Sequence, residues 1–153
     1  MTGVACGYRL VEGTANMSLS DVHEMLVDAY WCKGTSRERV AKAAAGSSLV
    51  IGAFFGQKQV AYARVVSDKT TFGWICDVIV HEDHRGKGLG RAMVRYALEH
   101  PEHQRFRRWV LATKDAQEVY AAAGFEPIDH PERWMAYRPE DAPERAGGGP
   151  DVV

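Results

Sequence analysis

Val80-His81-Glu82-Asp83-His84-Arg85-Gly86-Lys87-Gly88-Leu89-Gly90 runs from the end of an apolar strand, through a turn rich in glycine, into a helix. Gly86, Gly88 and Gly90 carry no Cβ, so the backbone there turns tightly and comes close to a ligand with its N–H groups pointing outward. Arg85, Lys87 and Arg91 add positive charge beside it. The helix that follows adds its unpaired first-turn N–H groups and the positive end of its dipole, each favourable anion contact contributing about 0.3–2 kcal/mol. The stretch reads as an anion cradle. Spacing excludes two familiar glycine templates. A dinucleotide fingerprint needs G-x-G-x-x-G where this loop reads G-x-G-x-G, and a nucleotide phosphate loop needs Gly-Lys followed by Ser or Thr where Lys87 is followed by Gly88.

A chain of 153 residues, 46% hydrophobic and 25% charged, suits one domain with room for a core and a pocket. Nineteen Lys and Arg against twenty Asp and Glu leave a net charge of −1, so no global field draws nucleic acid or an anionic membrane. Met1 to Cys6 has neither a charged leader region nor an apolar one, and no apolar run approaches the ~18 residues of a membrane span; the expectation is a cytoplasmic protein. Cys6, Cys32 and Cys76 show no C-x-x-C spacing and read as free thiols. His81-x-x-His84 offers too few ligands for a metal site, so no metal is expected.

Outward from the cradle, Thr71 to Val80 is the third of three strand-like runs, after Ser48 to Phe55 and Gln59 to Val66. Their short links require antiparallel hairpins. Unbroken alternation in the third would put Phe72, Trp74, Cys76, Val78 and Val80 on one face and Ile75, Asp77 and Ile79 on the other. Before them come a strand at Tyr8 to Val11, a helix capped by Ser20 with Val22, Met25, Leu26, Ala29 and Tyr30 as its buried stripe, and a short helix capped by Thr35 with Glu38. After the turn, Leu89, Ala92, Met93, Tyr96 and Ala97 form a helical stripe ended by Pro101, and Trp109 to Ala112 is a strand parallel to the one entering the turn. Asp115 caps a last helix with Ala116, Val119, Tyr120 and Ala123 inward and Gly124 as its stop, and Pro127 to Ile128 with Arg133 to Tyr137 would close the sheet as a hairpin.

The order of these elements, together with Arg85-x-x-Gly88-x-Gly90 and the A-x-x-x-Y-x-x-x-G-F spacing of Ala116, Tyr120 and Gly124-Phe125, resembles the GNAT superfamily of acyl-CoA-dependent N-acyltransferases over the chain to about Tyr137. The resemblance implies an α/β single domain over 1–138: a mixed, mostly antiparallel sheet, splayed at two parallel strands and flanked by four helices, with a disordered tail at 139–153. It implies acetyl-CoA in the splay. Backbone groups of Val78, Ile79 and Val80 would lie along the pantetheine arm, and Arg85, Gly86, Lys87, Gly88, Leu89, Gly90 and Arg91 around the pyrophosphate. Thr113, where many members carry Asn, would stand with Ala116 and Tyr120 on the opposite wall.

Under that resemblance the expected activity is direct transfer of an acetyl group from acetyl-CoA to a primary amine of a small molecule. Protein lysines or N-termini, and a non-catalytic acyl-CoA-binding regulatory module, stand as alternatives. Tyr120 is the candidate acid for the departing thiolate, and a backbone N–H near Val80 the candidate oxyanion donor. Asp77, a carboxylate inside an apolar strand, is the candidate base; His81, Glu82 and His84 are candidates for relaying protons through water. Tyr30, Trp31, Phe72 and Trp74 are the candidate acceptor wall, favouring an apolar or aromatic amine. Pairing of two copies along the edge at Arg133 to Tyr137 would make a homodimer.

Overall fold

The computed structural model describes residues 3–143; from residue 144 onward the tail expected to be disordered lies outside the described residues. The elements in order are β1 (Tyr8–Glu12), α1 (Leu19–Leu26), α2 (Arg37–Ala45), β2 (Leu49–Phe55), β3 (Lys58–Ser67), β4 (Phe72–Val80), α3 (Leu89–Glu99), β5 (Arg108–Val110) and α4 (Gln117–Ala121). They build a five-stranded sheet in the order β1-β2-β3-β4-β5. Short links make β2, β3 and β4 successive antiparallel neighbours, the long connection through α1 and α2 returns the chain so that β2 pairs antiparallel with β1, and the α3 crossover returns β5 parallel to β4.

Helices cover both faces. Val22, Leu26, Val40 and Ala44 of α1 and α2 pack on Val50 and Tyr62, while Leu89, Met93, Val94 and Ala97 of α3 pack on Ile51, Ala61, Ala63, Val65 and Ile75. Pro101 ends α3 as expected, with His100 extended before it.

The helix starts differ from the sequence expectation because tertiary partners select the cap. Ser18, not Ser20, caps α1, and its own N–H donates to Oε1 of the buried Gln59 at 2.8 Å, while the Gln59 N–H donates to Asp21 at 3.1 Å. The α1 entry is thereby fastened to the β2–β3 hairpin. Ser36, not Thr35, caps α2, since the Thr35 carbonyl is engaged by the His23 ring at 2.9 Å. At α4, Ala116 is the cap residue and Thr113 Oγ1 accepts its N–H at 3.1 Å, so Asp115 does not cap; Val119 is exposed rather than inward.

Two further expectations are corrected. Alternation in β4 breaks at Asp77, whose φ of +53 marks a bulge: Arg64 pairs with Cys76 but Tyr62 with Ile79, giving β4 one residue more than β3 between these pairs. Ile75, Val78 and Val80 therefore share the α3 face, and Ile79 packs with α1 and α2. The closing hairpin does not form among the described residues. His130 sits at φ +53, Pro131–Arg133 makes a single 3-10 turn, and Met135 and Tyr137 are 97% and 87% exposed.

Candidate active site

Pairing between β4 and β5 stops at Trp74 with Val110, although β4 continues to Val80. A gap therefore opens along the last residues of β4. On its far side β4 stays bonded to β3, and the His81 N–H donates to Val60 O at 2.8 Å. Strand alternation then turns the backbone groups of Ile79 toward β3 and those of Val78 and Val80 into the gap. The backbone groups of Val78 and Val80 thus face the gap, whereas Ile79 contributes its side chain to the core under α1 and α2.

Beyond Val80 the 3-10 turn Glu82–His84 is pinned to β1, where the Tyr8 hydroxyl meets His84 Nδ1 at 2.8 Å. His81 Nδ1 accepts the Asp83 N–H, so both histidines hold the loop in shape. Gly86 and Gly88 stand at φ +76 and +74, conformations that L side chains resist, and a Cβ at either would meet nothing within 4 Å. They are glycine for backbone shape, on an open surface. The first amide of α3 with a helical partner is Ala92, which donates to Gly88 O at 3.0 Å. No side chain caps this end and no acidic residue occupies its first turn, leaving the N–H groups of Leu89, Gly90 and Arg91 for a ligand. Arg85 Nε donates to Val80 O at 3.2 Å, which ties the cradle to the end of the strand.

Across the gap, Tyr120 on α4 packs edge-on to Phe125, and no hydrogen bond of its hydroxyl is made among the described residues. Burial pushes its phenol up to about 12, with smaller contributions from Tyr30, Asp115 and Cys76, so it stays protonated throughout the neutral range. The loop between β5 and α4 is held from the opposite face: the Lys114 N–H donates to the Tyr30 hydroxyl at 3.1 Å, and the Lys114 ammonium lies over the Tyr30 ring. Tyr30 is thus a strut between the α1 and α4 sides of the gap.

Its neighbour Trp31 anchors the bulge. Trp31 Nε1 donates to Asp77 Oδ1 at 2.8 Å, Arg64 Nε donates to Asp77 Oδ2 at 2.6 Å, and Arg64 Nη1 donates to Ser47 Oγ at 3.3 Å. Both charged side chains are nearly buried, at 11% and 10% exposure. Burial works against the Arg64 charge, but Asp77, together with Cys76 and Tyr62, outweighs it and holds the guanidinium above its ordinary value. Asp77 is therefore an oriented carboxylate with one bond to each oxygen.

Asp77, Arg64, Trp31 and Tyr62 border a cavity of about 1040 Å³ on the α1–α2 side, which residues 136–139, Ala142 and Pro143 also line while it stays open to solvent. Of the four aromatic residues expected in an acceptor wall, only Trp31 borders it. Phe72 and Trp74 stand at the opposite end of β4, where it pairs with β5. Cys32 at the cavity and Cys76 beside it are kept as thiols, burial pushing each up to about 12. Among the described residues no group of three or more His, Cys, Asp or Glu is arranged to hold a metal ion, and no helix is long and apolar enough to cross a membrane.

The acetyltransferase (GNAT) family profile matches residues 19–125, from α1 through Phe125, and so takes in both walls of the gap. The chain belongs to the GNAT acetyltransferase family. It is similar to a candidate acetyltransferase of that family from Xanthomonas campestris pv. campestris, at 34% identity and a TM-score of 0.80 over 86% of this chain and 92% of that one. A candidate acetyltransferase from Gibberella zeae is 29% identical over 107 residues, 63% of this chain; the chain spans 59% of that relative's length. Glucosamine-6-phosphate N-acetyltransferase from Arabidopsis thaliana, at 16% identity and a TM-score of 0.63 over 88% of this chain and 99% of that one, shares the GNAT fold. Arg64 was not singled out in the sequence, although a lone cation in the apolar run Val60 to Val66 is the natural counterpart of a lone carboxylate in the next strand of a hairpin. The cavity's other cations belong to α2 and to distant loops, and no spacing relates them.

Proposed function

We propose that this GNAT acetyltransferase moves an acetyl group from acetyl-CoA to the primary amine of a small molecule, directly and without a covalent enzyme intermediate. The observation that carries the reading is the gap itself, with an open anion cradle at one end of β4 and a cavity bearing an oriented carboxylate at the bulge of the same strand. The Gly86–Arg91 backbone would hold the pyrophosphate, with Arg85, Lys87 and Arg91 as its counter-charges, and Val78 and Val80 would bond the pantetheine arm. Bound there, the donor supplies an activated thioester carbonyl. The Val80 N–H, turned into the gap, is the donor for charge growing on its oxygen.

A lysine-like amine has a pKa of about 10.4, so presenting it neutral near pH 7 costs about 4–5 kcal/mol, and a group at the site must take the proton. Asp77 is assigned that role: it attracts the ammonium into the cavity and accepts its proton, directly or through water, as the amine attacks. Tyr120, a neutral phenol whose hydroxyl has no hydrogen-bond partner among the described residues, donates to the departing sulfur. A two-step route through cysteine is disfavoured, because burial keeps Cys32 and Cys76 protonated near neutral pH.

Incubation with acetyl-CoA and primary amines, followed by free-thiol release and mass detection of the N-acetyl product, tests the reading. Stoichiometric thiol and amide are expected. Donor binding without product from any amine would remove it and favour a sensor of acyl-CoA.

A further inference from the structure

The charge lining the acceptor cavity is lopsided. Among the described residues Asp77 is the single carboxylate lining it, and it is already matched by Arg64. Lys33, Arg39, Lys42 and Arg138 also line the cavity, from the loop after α1, from α2 and from the stretch 136–143. None of these four has a carboxylate within ion-pair distance among the described residues, so their charge is not neutralised where they line the cavity. Arg138 also donates from Nη2 to Pro143 O at 2.9 Å, which holds its guanidinium in place. Cations drawn from three separate stretches of chain around one concavity form a positive field focused on whatever enters. Tyr62, 1% exposed at the same wall, has a hydroxyl without a hydrogen-bond partner among the described residues.

We infer that the acceptor carries an anionic group, a carboxylate or a phosphate, in addition to its amine. The inference rests on the acetyltransferase reading and specifies its substrate class. The two ends of such a molecule find opposite partners: the ammonium goes to Asp77 beside the gap, and the anion to the Lys33, Arg39, Lys42 and Arg138 side chains. A simple alkyl or arylalkyl amine would leave those four cations unused and would place its own positive charge among them. Charge-assisted bonds to one anion suffice for a preference of about tenfold or more. Because the cations reach solvent, the preference falls as salt rises.

The test uses matched acceptors that differ only in the anion: 6-aminohexanoate against hexylamine, phosphoethanolamine against ethanolamine, and phenylalanine against phenethylamine. Thiol release is followed with the full chain at saturating acetyl-CoA, in 50 and 500 mM salt. The expected result is a kcat/KM at least about tenfold higher for the anionic member of one or more pairs, carried by KM and reduced at high salt. The carboxylate and phosphate pairs tell which anion is preferred. The double variant Arg39→Gln, Lys42→Gln should compress that ratio toward one, and Arg95→Gln on α3 should leave the ratio as it is. Turnover of the neutral members as good as or better than their anionic partners in every pair overturns the inference and leaves the acetyltransferase reading standing. Acetyl-CoA binding with no turnover of either member of any pair removes both.

Discussion

The glycine turn after β4 and the cavity under α1 and α2 flank the same gap, yet the first is built from backbone and the second from side chains. At the turn, two glycines at positive φ and the uncapped amide end of α3 create the anion cradle, and the charged side chains around it are accessories. In the cavity, the proposed chemistry rests on Asp77, Arg64 and cations gathered from stretches far apart in the chain. The backbone site is a local motif, so it survives changes to neighbouring side chains and fails on changes of conformation. The side-chain site has the reverse sensitivity.

The largest expected effect follows directly. Gly88→Val puts a β-branched residue at φ +74, where a Cβ meets no neighbour, so the damage is conformational and local. Acetyl-CoA affinity should drop on the order of a hundredfold by titration calorimetry, with a loss of only about 1–2 kcal/mol in folding stability. Equal donor affinity in this variant would break the comparison at its backbone end.

At the other end, Asp77→Asn leaves the Arg64 guanidinium buried without its charge partner and should cost about 3 kcal/mol in chemical denaturation, while donor affinity stays near that of the unsubstituted chain. With Asp77 taking the amine proton, the same variant should also lose turnover at saturating donor; unchanged turnover removes that role. Tyr120→Phe should lower kcat about tenfold to a hundredfold with little change in stability, measured at saturating donor. Unchanged turnover refutes Tyr120 as the acid.

The smallest effect is a pH dependence of stability. Cys32, Cys76 and Tyr120 all have folded-state values raised by burial to about 12, from ordinary values of 9.0, 9.0 and 10.0. For groups raised on folding, the contribution is complete below the unfolded value and is lost as pH rises toward the folded one. The melting temperature should therefore decline between about pH 9 and 12, and Cys76→Ala should flatten that decline. A decline of the same slope in that variant would place the titration elsewhere.

How far the sequence could be read follows the same division. Arg85 to Gly90 announces a backbone site because glycine spacing directly encodes φ, and the hairpins from Leu49 to Val80 follow from link length alone. The Asp77 bulge was not legible: nothing in Cys76-Asp77-Val78 distinguishes a strained residue from a regular one, and the positive φ is held in place by the Arg64 and Trp31 contacts that come from other elements. The same holds for Ser18 over Ser20, chosen by the buried Gln59 forty-one residues away. The residues read as an aromatic acceptor wall are spread apart for a related reason. Phe72 and Trp74 share a strand with Asp77, but they lie beyond the bulge, at the end where β5 closes on β4. The hairpin expected at the C-terminus had apolar residues in the right number but no partner strand edge fixed by a turn, and Met135 and Tyr137 remain in solvent.

The central claim is that the two unlike sites act on one reaction across the gap, and product analysis tests it most directly. With acetyl-CoA and a primary amine present together, the account predicts equal amounts of free CoA thiol and N-acetylated amine, abolished alike by Gly88→Val and by omission of the amine. Thiol release that does not depend on the amine, or tight donor binding that yields no amide with any amine, would contradict it.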